Sequence, residues 1–285
     1  MGAQCIVILP NIFVYNKLMK ISIIVTSYNY ANFIERTINS ILAQTYTDFE
    51  LIIVDDCSSD NSVEIIKNFK DNRIKFIQNE QNLGLAISVA KALKIATGEW
   101  IAFCESDDFW EKDCLEKRIQ IGEKYPNLGV IFNDVEPFST TNKIPETIQQ
   151  NSENLKKINF PTNVFGKIAF YNIVQTFSAV MISRAEIAKL NLTPPDDRFF
   201  DWWLFIQLAS DTDFYYVFEK LTHWRLHENS YITKKKRKFT ISANIQTLFY
   251  LLKTKKKPIF AIFLVLTTFL FILKNLKKLL FFHNL

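Results

Sequence analysis

An α/β fold, with a mainly parallel sheet covered by helices on both faces, is what this 285-residue chain predicts. Three observations carry that expectation. Apolar, β-branched runs alternate with helical apolar spacing from Ile21 to Cys104. Each run but one leads into a polar loop: TSYN at 26–29, DDCSSD at 55–60 and ESDD at 105–108. A hydrophobic content of 48%, a charged content of 22%, and six Gly and eight Pro without a fixed period suit one globular core, not a repeat array or a flexible linker protein.

The elements follow in order. Ile21 to Thr26, ISIIVT, is a continuous β-branched run, as expected of a strand buried on both faces. After the polar turn 27–32, Ile34, Ile38, Ile41 and Leu42 recur at helical spacing. The unit repeats with a strand at Leu51 to Val54, a polar loop to Asn61, and a helix carrying Val63, Ile66 and Phe69. A third unit has a strand at Ile74 to Gln78, a turn with Asn82 and Gly84, and an Ala-rich helix to Ala96. Gly98 stops that helix, and Trp100 to Cys104 makes the fourth strand. Such alternation implies right-handed βαβ crossovers, with ligands bound beyond the carboxyl ends of the strands, where the three polar loops lie. From about Trp110 the pattern is irregular. The polar stretch Thr140 to Asn159 reads as a mobile loop over the site. Order resumes near Phe177 to Ser183, followed by a turn at Pro194 and Pro195 and a helix near Trp202 to Ala209.

The ends differ from the body. Of 34 basic residues, twelve fall in 231–285, which has no Asp or Glu, leaving 22 basic against 29 acidic residues in the rest. The lysines stand among Phe, Leu and Ile, which points to anionic lipid and away from nucleic acid. Pro258 to Leu273 is uncharged; as a helix it would be about 24 Å long, short of the roughly 30 Å hydrocarbon core. Leu273, Leu276 and Leu280 oppose Lys274 and Lys278, as in a helix lying on a membrane. Burial against the catalytic domain is the alternative. Residues 1–19 form an N-terminal extension whose apolar run, broken by Pro10 and Asn11, lacks the basic start of a signal peptide. Cys5, Cys57, Cys104 and Cys114 show no CxxC pairing and read as reduced structural thiols in the cytoplasm.

The chemistry gathers in the polar loops. Asp107 and Asp108 directly follow a buried strand, and a carboxylate pair at a strand end suits a Mg²⁺ or Mn²⁺ ion on a diphosphate. The alternative is a cap, with Asp108 or Ser106 opening a helical turn near Phe109. Asp55 and Asp56 repeat the arrangement and can accept hydrogen bonds from ribose hydroxyls or a base imide. There the alternative is Ser59 or Asp60 capping the helix at Val63.

Read together, IVTSYNYANFIERTINSILAQTYTDFELIIVDDCSSD, NLGLA, GEWIAFCESDDFW, FFDWWLFIQLA and HWRLHENS resemble family 2 of the inverting glycosyltransferases, which share the GT-A fold. The resemblance covers roughly residues 20–230, with a nucleotide-sugar-binding half at 20–109 and an acceptor half at 110–230. It implies that Thr26 and Tyr28 border the nucleotide base, Tyr28 by stacking, and that Asp56 hydrogen-bonds that base. It implies that Asp107 and Asp108 are ribose and metal carboxylates, Asp108 touching Mn²⁺ or Mg²⁺, and that Asp201 is the general base. Packing of Tyr28 on the first helix, and Asp201 as an N-cap, are the structural alternatives. The expected activity is transfer of a sugar from a nucleotide-diphosphate donor, a UDP-sugar, to a saccharide or lipid-linked saccharide with inversion, in cell-surface polysaccharide synthesis at the inner face of the plasma membrane. A sugar nucleotidyltransferase, or a non-catalytic nucleotide-sugar-binding module, are the rivals.

This sequence departs from the family pattern in three places. Phe200 stands before Asp201 where an acid is frequent. Val89 and Ala90 stand where many members have Arg-Asn, so a phosphate contact is either missing or supplied by Arg225, His227 or a tail lysine. Glu105 replaces the more usual Asp. His223, Arg225 and His227 alternate, so a strand would put all three on one face, either for diphosphate binding or as plain surface. Trp110, Trp202 and Trp203 could form an acceptor platform, but large aromatics beside a helix are more often core.

Overall fold

The computed structural model describes residues 5–9, 12–16, 19–139, 144–168, 173–194 and 200–227. The tail 231–285 and the predicted turn at Pro195 lie outside the described residues. Strands β1 (Cys5–Leu9) and β2 (Ile12–Asn16) pair antiparallel with each other. The predicted units follow: β3 (Ile21–Ser27), α1 (Ile34–Leu42), β4 (Phe49–Asp55), α2 (Ser62–Asn68), β5 (Ile74–Gln78), α3 (Leu85–Ile95) and β6 (Trp100–Phe103). Then come β7 (Phe109–Trp110), α4 (Cys114–Lys124), β8 (Val130–Ser139), α5 (Glu146–Leu155), α6 (Phe165–Ile168), a 3₁₀ turn at Phe177–Ala179, β9 (Val180–Ser183), α7 (Arg184–Ile187), α8 (Phe200–Asp211) and β10 (Phe214–Leu226).

Strands β3 to β10 form one sheet in the order β5-β4-β3-β6-β9-β8-β10-β7. β3, β4, β5 and β6 pair in parallel, β9 runs against both β6 and β8, and β10 is parallel to β8. Two reversals through β9 restore the direction, so six of the eight strands point the same way and only β9 and the edge strand β7 oppose them. The carboxyl end of β10 therefore arrives at the same edge as those of β3, β4 and β6. Both halves of the predicted domain share this sheet.

The strands' apolar runs divide by the period of two. Ile24, Ile52 and Val54 pack with Val89 and Ala92 of α3 and Phe205 of α8. Ile23, Val25, Leu51 and Ile53 pack on the other face with Ile34, Ile38 and Ile41 of α1 and Ile119 of α4. Each such side chain contributes about 1.5–3 kcal/mol on burial, which explains why these strands read as unbroken hydrophobic runs.

Two expectations need correction. Residues 144–159 hold a helix, α5, not a mobile loop: Ile148, Ser152 and Leu155 are buried along one side of it, and Ser152 Oγ donates to Asp134 Oδ1 at 2.6 Å. Its three inward positions are diluted by exposed Gln, Asn and Glu, so composition masks the spacing. Nor does a helical turn start near Phe109. That residue and Trp110 are strand β7, paired with His223 and Thr222, so neither Ser106 nor Asp108 is a helix cap there.

Candidate active site

The loops after β3 and β4 clasp each other. Asn29 N donates to Ser58 Oγ at 2.9 Å, Ser59 N donates to Asn29 Oδ1 at 2.8 Å, and Ala31 N donates to Asp60 Oδ2 at 3.0 Å. Asn29 and Cys57 both have positive φ, 60° and 67°, which turns each loop back on its strand. Asp60 Oδ1 also accepts from Ser62 N at 3.0 Å, so it satisfies the first helical N–H of α2. Thr26 is half-buried at the end of β3, and Tyr28 is 46% exposed. Asp56 is nearly buried, its carboxylate accepting from Asn79 Nδ2 at 2.7 Å, Leu83 N at 2.9 Å and Gly84 N at 2.8 Å. It thus ties the Asn82–Gly84 turn to β4, a duty the sequence did not suggest.

The loop after β6 carries the acids. Asp108 is 1% exposed. Its Oδ2 accepts from Ser178 Oγ at 2.6 Å and Thr176 Oγ1 at 3.1 Å, and its Oδ1 from Arg225 N at 2.8 Å. Asp107 is half-buried and faces β10, with Oδ2 3.0 Å from His227 Nε2. Glu105 accepts from Thr176 Oγ1 at 2.7 Å. Burial, followed by the charges of Asp107 and Glu105, holds the Asp108 carboxyl well above the usual range. Burial and then Asp107 push Glu105 up to about 8, with a further contribution from Asp201. Burial, and then the charges of Asp107, Glu105 and Asp108, raise the Tyr30 phenol.

These shifts share one cause: carboxylates crowded where little water screens them. A divalent cation would relieve that crowding, and carboxylate oxygens beside an imidazole suit Mg²⁺ or Mn²⁺. Among the described residues no three acidic, His or Cys groups are gathered to hold an ion unaided.

β10 closes the site from the far side. Arg225 Nε donates to the Asp107 carbonyl at 3.0 Å, and its guanidinium lies 4.6 Å from the ring centres of both Phe33 and Phe138. Arg225 and His227 therefore both meet Asp107, as alternation on a strand implies. His223, on the same face, pairs instead with Glu111 at 2.6 Å and stacks on Phe109. Asp201 lies within the first turn of α8, which begins at Phe200, near enough to act on Glu105. The tryptophans are structural: Trp110 and Trp203 are buried, and the indoles of Trp110, Trp203 and Trp202 donate to backbone carbonyls of Ser178, Asn191 and Ile168.

Sequence reading missed the bracket behind the acids. Ser178 Oγ accepts from Glu105 N at 2.8 Å while donating to Asp108, and its carbonyl accepts from Arg118 at 3.1 Å. Arg118 is fully buried and also donates to Asn133 Oδ1 at 2.9 Å through Nε. Thr37 of α1 donates to the Asp108 carbonyl at 2.7 Å from the other side. The available signal was faint: two hydroxyls, Thr176 and Ser178, opening an otherwise apolar run.

A mainly parallel sheet with one reversed inner strand, and acids at its carboxyl end on the same edge as the exposed Tyr28, define the GT-A class. Solved structures agree on the fold. Residues 1–349 of TarS from S. aureus, in complex with UDP-GlcNAc, superimpose with a TM-score of 0.64 at 18% identity, covering 82% of this chain and 67% of that one. A mannosyltransferase from Pyrobaculum calidifontis, PcManGT, in complex with GDP-Man and Mn²⁺, gives 0.59 at 15% identity over 90% of this chain and 70% of that one. The chain belongs to glycosyl transferase family 2, whose model matches residues 22–183. Among curated relatives, the Escherichia coli UDP-Glc:alpha-D-GlcNAc-diphosphoundecaprenol beta-1,3-glucosyltransferase WfgD is 42% identical over 120 residues, 40% of this chain and 47% of WfgD. With the first relatives of this kind, the matched part spans 36 to 47% of their length.

Proposed function

We propose that this chain transfers a sugar, with inversion, from a nucleoside-diphosphate donor, a UDP-sugar, to a saccharide or lipid-linked saccharide in cell-surface polysaccharide synthesis. The observation that carries the reading is the meeting of Asp107 and Asp108 with Arg225 and His227 at the carboxyl end of the sheet. WfgD, by its name, uses UDP-Glc and a diphosphoundecaprenol-linked acceptor, and TarS was crystallised with UDP-GlcNAc, both in keeping with this choice. The tail 231–285 would keep the enzyme on an anionic membrane face, beside such acceptors.

In this reading the exposed Tyr28 ring stacks on the base, with Thr26 and Asp56 at its edge. Asp107 binds the ribose side of the donor, and Arg225 and His227 hold the diphosphate. Asp108, with Asp107 beside it, would hold Mg²⁺ or Mn²⁺, which when bound neutralises charge gathering on the leaving diphosphate. Thr176 and Ser178 would keep Asp108 aimed at such an ion. Asp201, from the acceptor half, takes the proton of the attacking hydroxyl on the face of the sugar opposite the diphosphate. In-line displacement then inverts the anomeric carbon without a covalent intermediate.

A nucleotidyltransferase would need a Gly-rich, basic phosphate loop after the first strand, and the TSYNYAN segment contains neither Gly nor a cation. The test is a screen of nucleotide-sugars for release of nucleoside diphosphate, with and without metal. Release that is unaffected by EDTA, or by Asp108→Ala, would overturn the metal assignment. No release from any donor, with a full set of acceptors, would overturn the activity.

A further inference from the structure

A second guanidinium stands on the face that carries Arg225. Arg36, exposed in the first turn of α1, has its guanidinium carbon 3.5 Å from the centre of the Phe109 ring and 5.9 Å from that of Phe138. His223 stacks on Phe109 at 4.2 Å and 8° from parallel, so Arg36 and His223 sandwich that ring. Phe138 is shared, because Arg225 lies 4.6 Å from its centre. Among the described residues, Arg36 forms no ion pair, and the polar contacts of the Arg225 side chain are with the Asp107 carbonyl.

Two like charges held side by side on aromatic faces repel each other unless an anion bridges them. A guanidinium held over an aromatic face can still donate from its outer N–H groups, a combination that suits phosphate oxygens. On helix α3 Val89 is fully buried, and Lys91 is engaged with Asn79 Oδ1 at 2.6 Å.

We propose that Arg36 joins Arg225, on Phe33, Phe109 and Phe138, in a phosphate-binding subsite next to the acid pair, taking the diphosphate either of the nucleotide donor or of a lipid-linked acceptor. The two sources rest on the proposed function; binding of the anion itself does not. The full chain and its Arg36→Gln and Arg36→Lys variants, matched for thermal midpoint, are titrated by calorimetry with inorganic pyrophosphate, UDP and farnesyl diphosphate.

Removing one charge-assisted contact should weaken pyrophosphate on the order of tenfold or more in Arg36→Gln. Arg36→Lys should recover part of the loss. A matching loss with UDP alone assigns the subsite to the donor, and with farnesyl diphosphate alone to the acceptor. If Arg36→Gln does not fold, pyrophosphate should still protect Arg36 of the unaltered chain from an arginine-selective dicarbonyl reagent, read by peptide mass. All three affinities within twofold of the unaltered chain, or no protection, would overturn the proposal, whether or not any donor is turned over.

Discussion

Glu50 offers the sharpest test of the fold's energetics, because it is a carboxylate in a buried parallel strand. It is 3% exposed. Its Oε1 accepts from Ser22 Oγ at 2.6 Å, Thr97 N at 2.6 Å and Thr97 Oγ1 at 2.8 Å, while Oε2 lies 2.6 Å from Lys75 Nζ. It joins β3, β4, β5 and the turn before β6 at the end of the sheet opposite the active site. Burial alone would raise its pKa, but the Lys75 ammonium and the Ser22 and Thr97 donors win and hold it at about 2, against an ordinary value of 4.5.

A depressed native pKa means that the unfolded chain binds more protons between those two values. The stabilisation is therefore complete above the unfolded value and is lost as pH falls through the native one. A displacement of about 2.5 units corresponds to about 3.4 kcal/mol at pH 7, falling to about 1.4 kcal/mol at pH 3. A glutamine side chain keeps the shape and removes the titration. We expect Glu50→Gln to be less stable by roughly 2–4 kcal/mol at pH 7, a drop in Tm of about 5–15 °C. The gap between the two proteins should narrow steadily below about pH 4.5. Thermal scans followed by circular dichroism from pH 7 to pH 3 decide the matter. A gap that does not change with pH would refute the account. So would a Glu50→Gln protein within about 0.5 kcal/mol of the unaltered chain at pH 7, which is the scatter of an ordinary surface substitution.

Three further outcomes are expected. Asp201→Asn should lower turnover on the order of 10² to 10⁴ while leaving UDP affinity unchanged, measured by donor-release kinetics and calorimetry; a proportional loss of UDP binding would remove Asp201 from the role of base. Gly98→Ala should destabilise by at least about 2–3 kcal/mol, because a Cβ there would lie 2.4 Å from Ser22 N and 2.7 Å from Ile21 C, both backbone atoms; a Tm unchanged in thermal scans would contradict this. Removal of residues 231–285 should abolish flotation with anionic liposomes, each basic residue near such a surface contributing roughly 1 kcal/mol; equal flotation of both chains would end the membrane proposal.

The amino-terminal half was legible because β3, β4 and β6 are buried on both faces. Ile21 to Thr26 and Leu51 to Val54 must then be largely apolar, and the helices between them need only one apolar stripe, so local pattern and global position agree. The loops that follow those strands had to be polar, which made Asp56, Asp107 and Asp108 visible as candidates, whereas Tyr28 was named through the family resemblance. Helix α5 and strand β10 were hidden for the opposite reason, and β8 because the buried Asn133 and Asp134 interrupt its apolar run. β10 mixes Glu219, Lys220, His223 and Arg225 into a strand whose outer part is exposed, and its register shifts against β8 at Val217–Thr222.

What only the tertiary structure decided is which partners the acids have. Ser178 lies 70 residues from Asp108, and Arg225 lies 117 residues from it. Both arrive there because β9 reverses the sheet once and β8 reverses it again, returning β10 to the edge where β6 ends. Sequence can announce a carboxylate at a strand end. Whether it is covered, as Asp108 is, or faces the crevice beside a histidine, as Asp107 does, depends on long-range pairing that leaves no local periodicity to read.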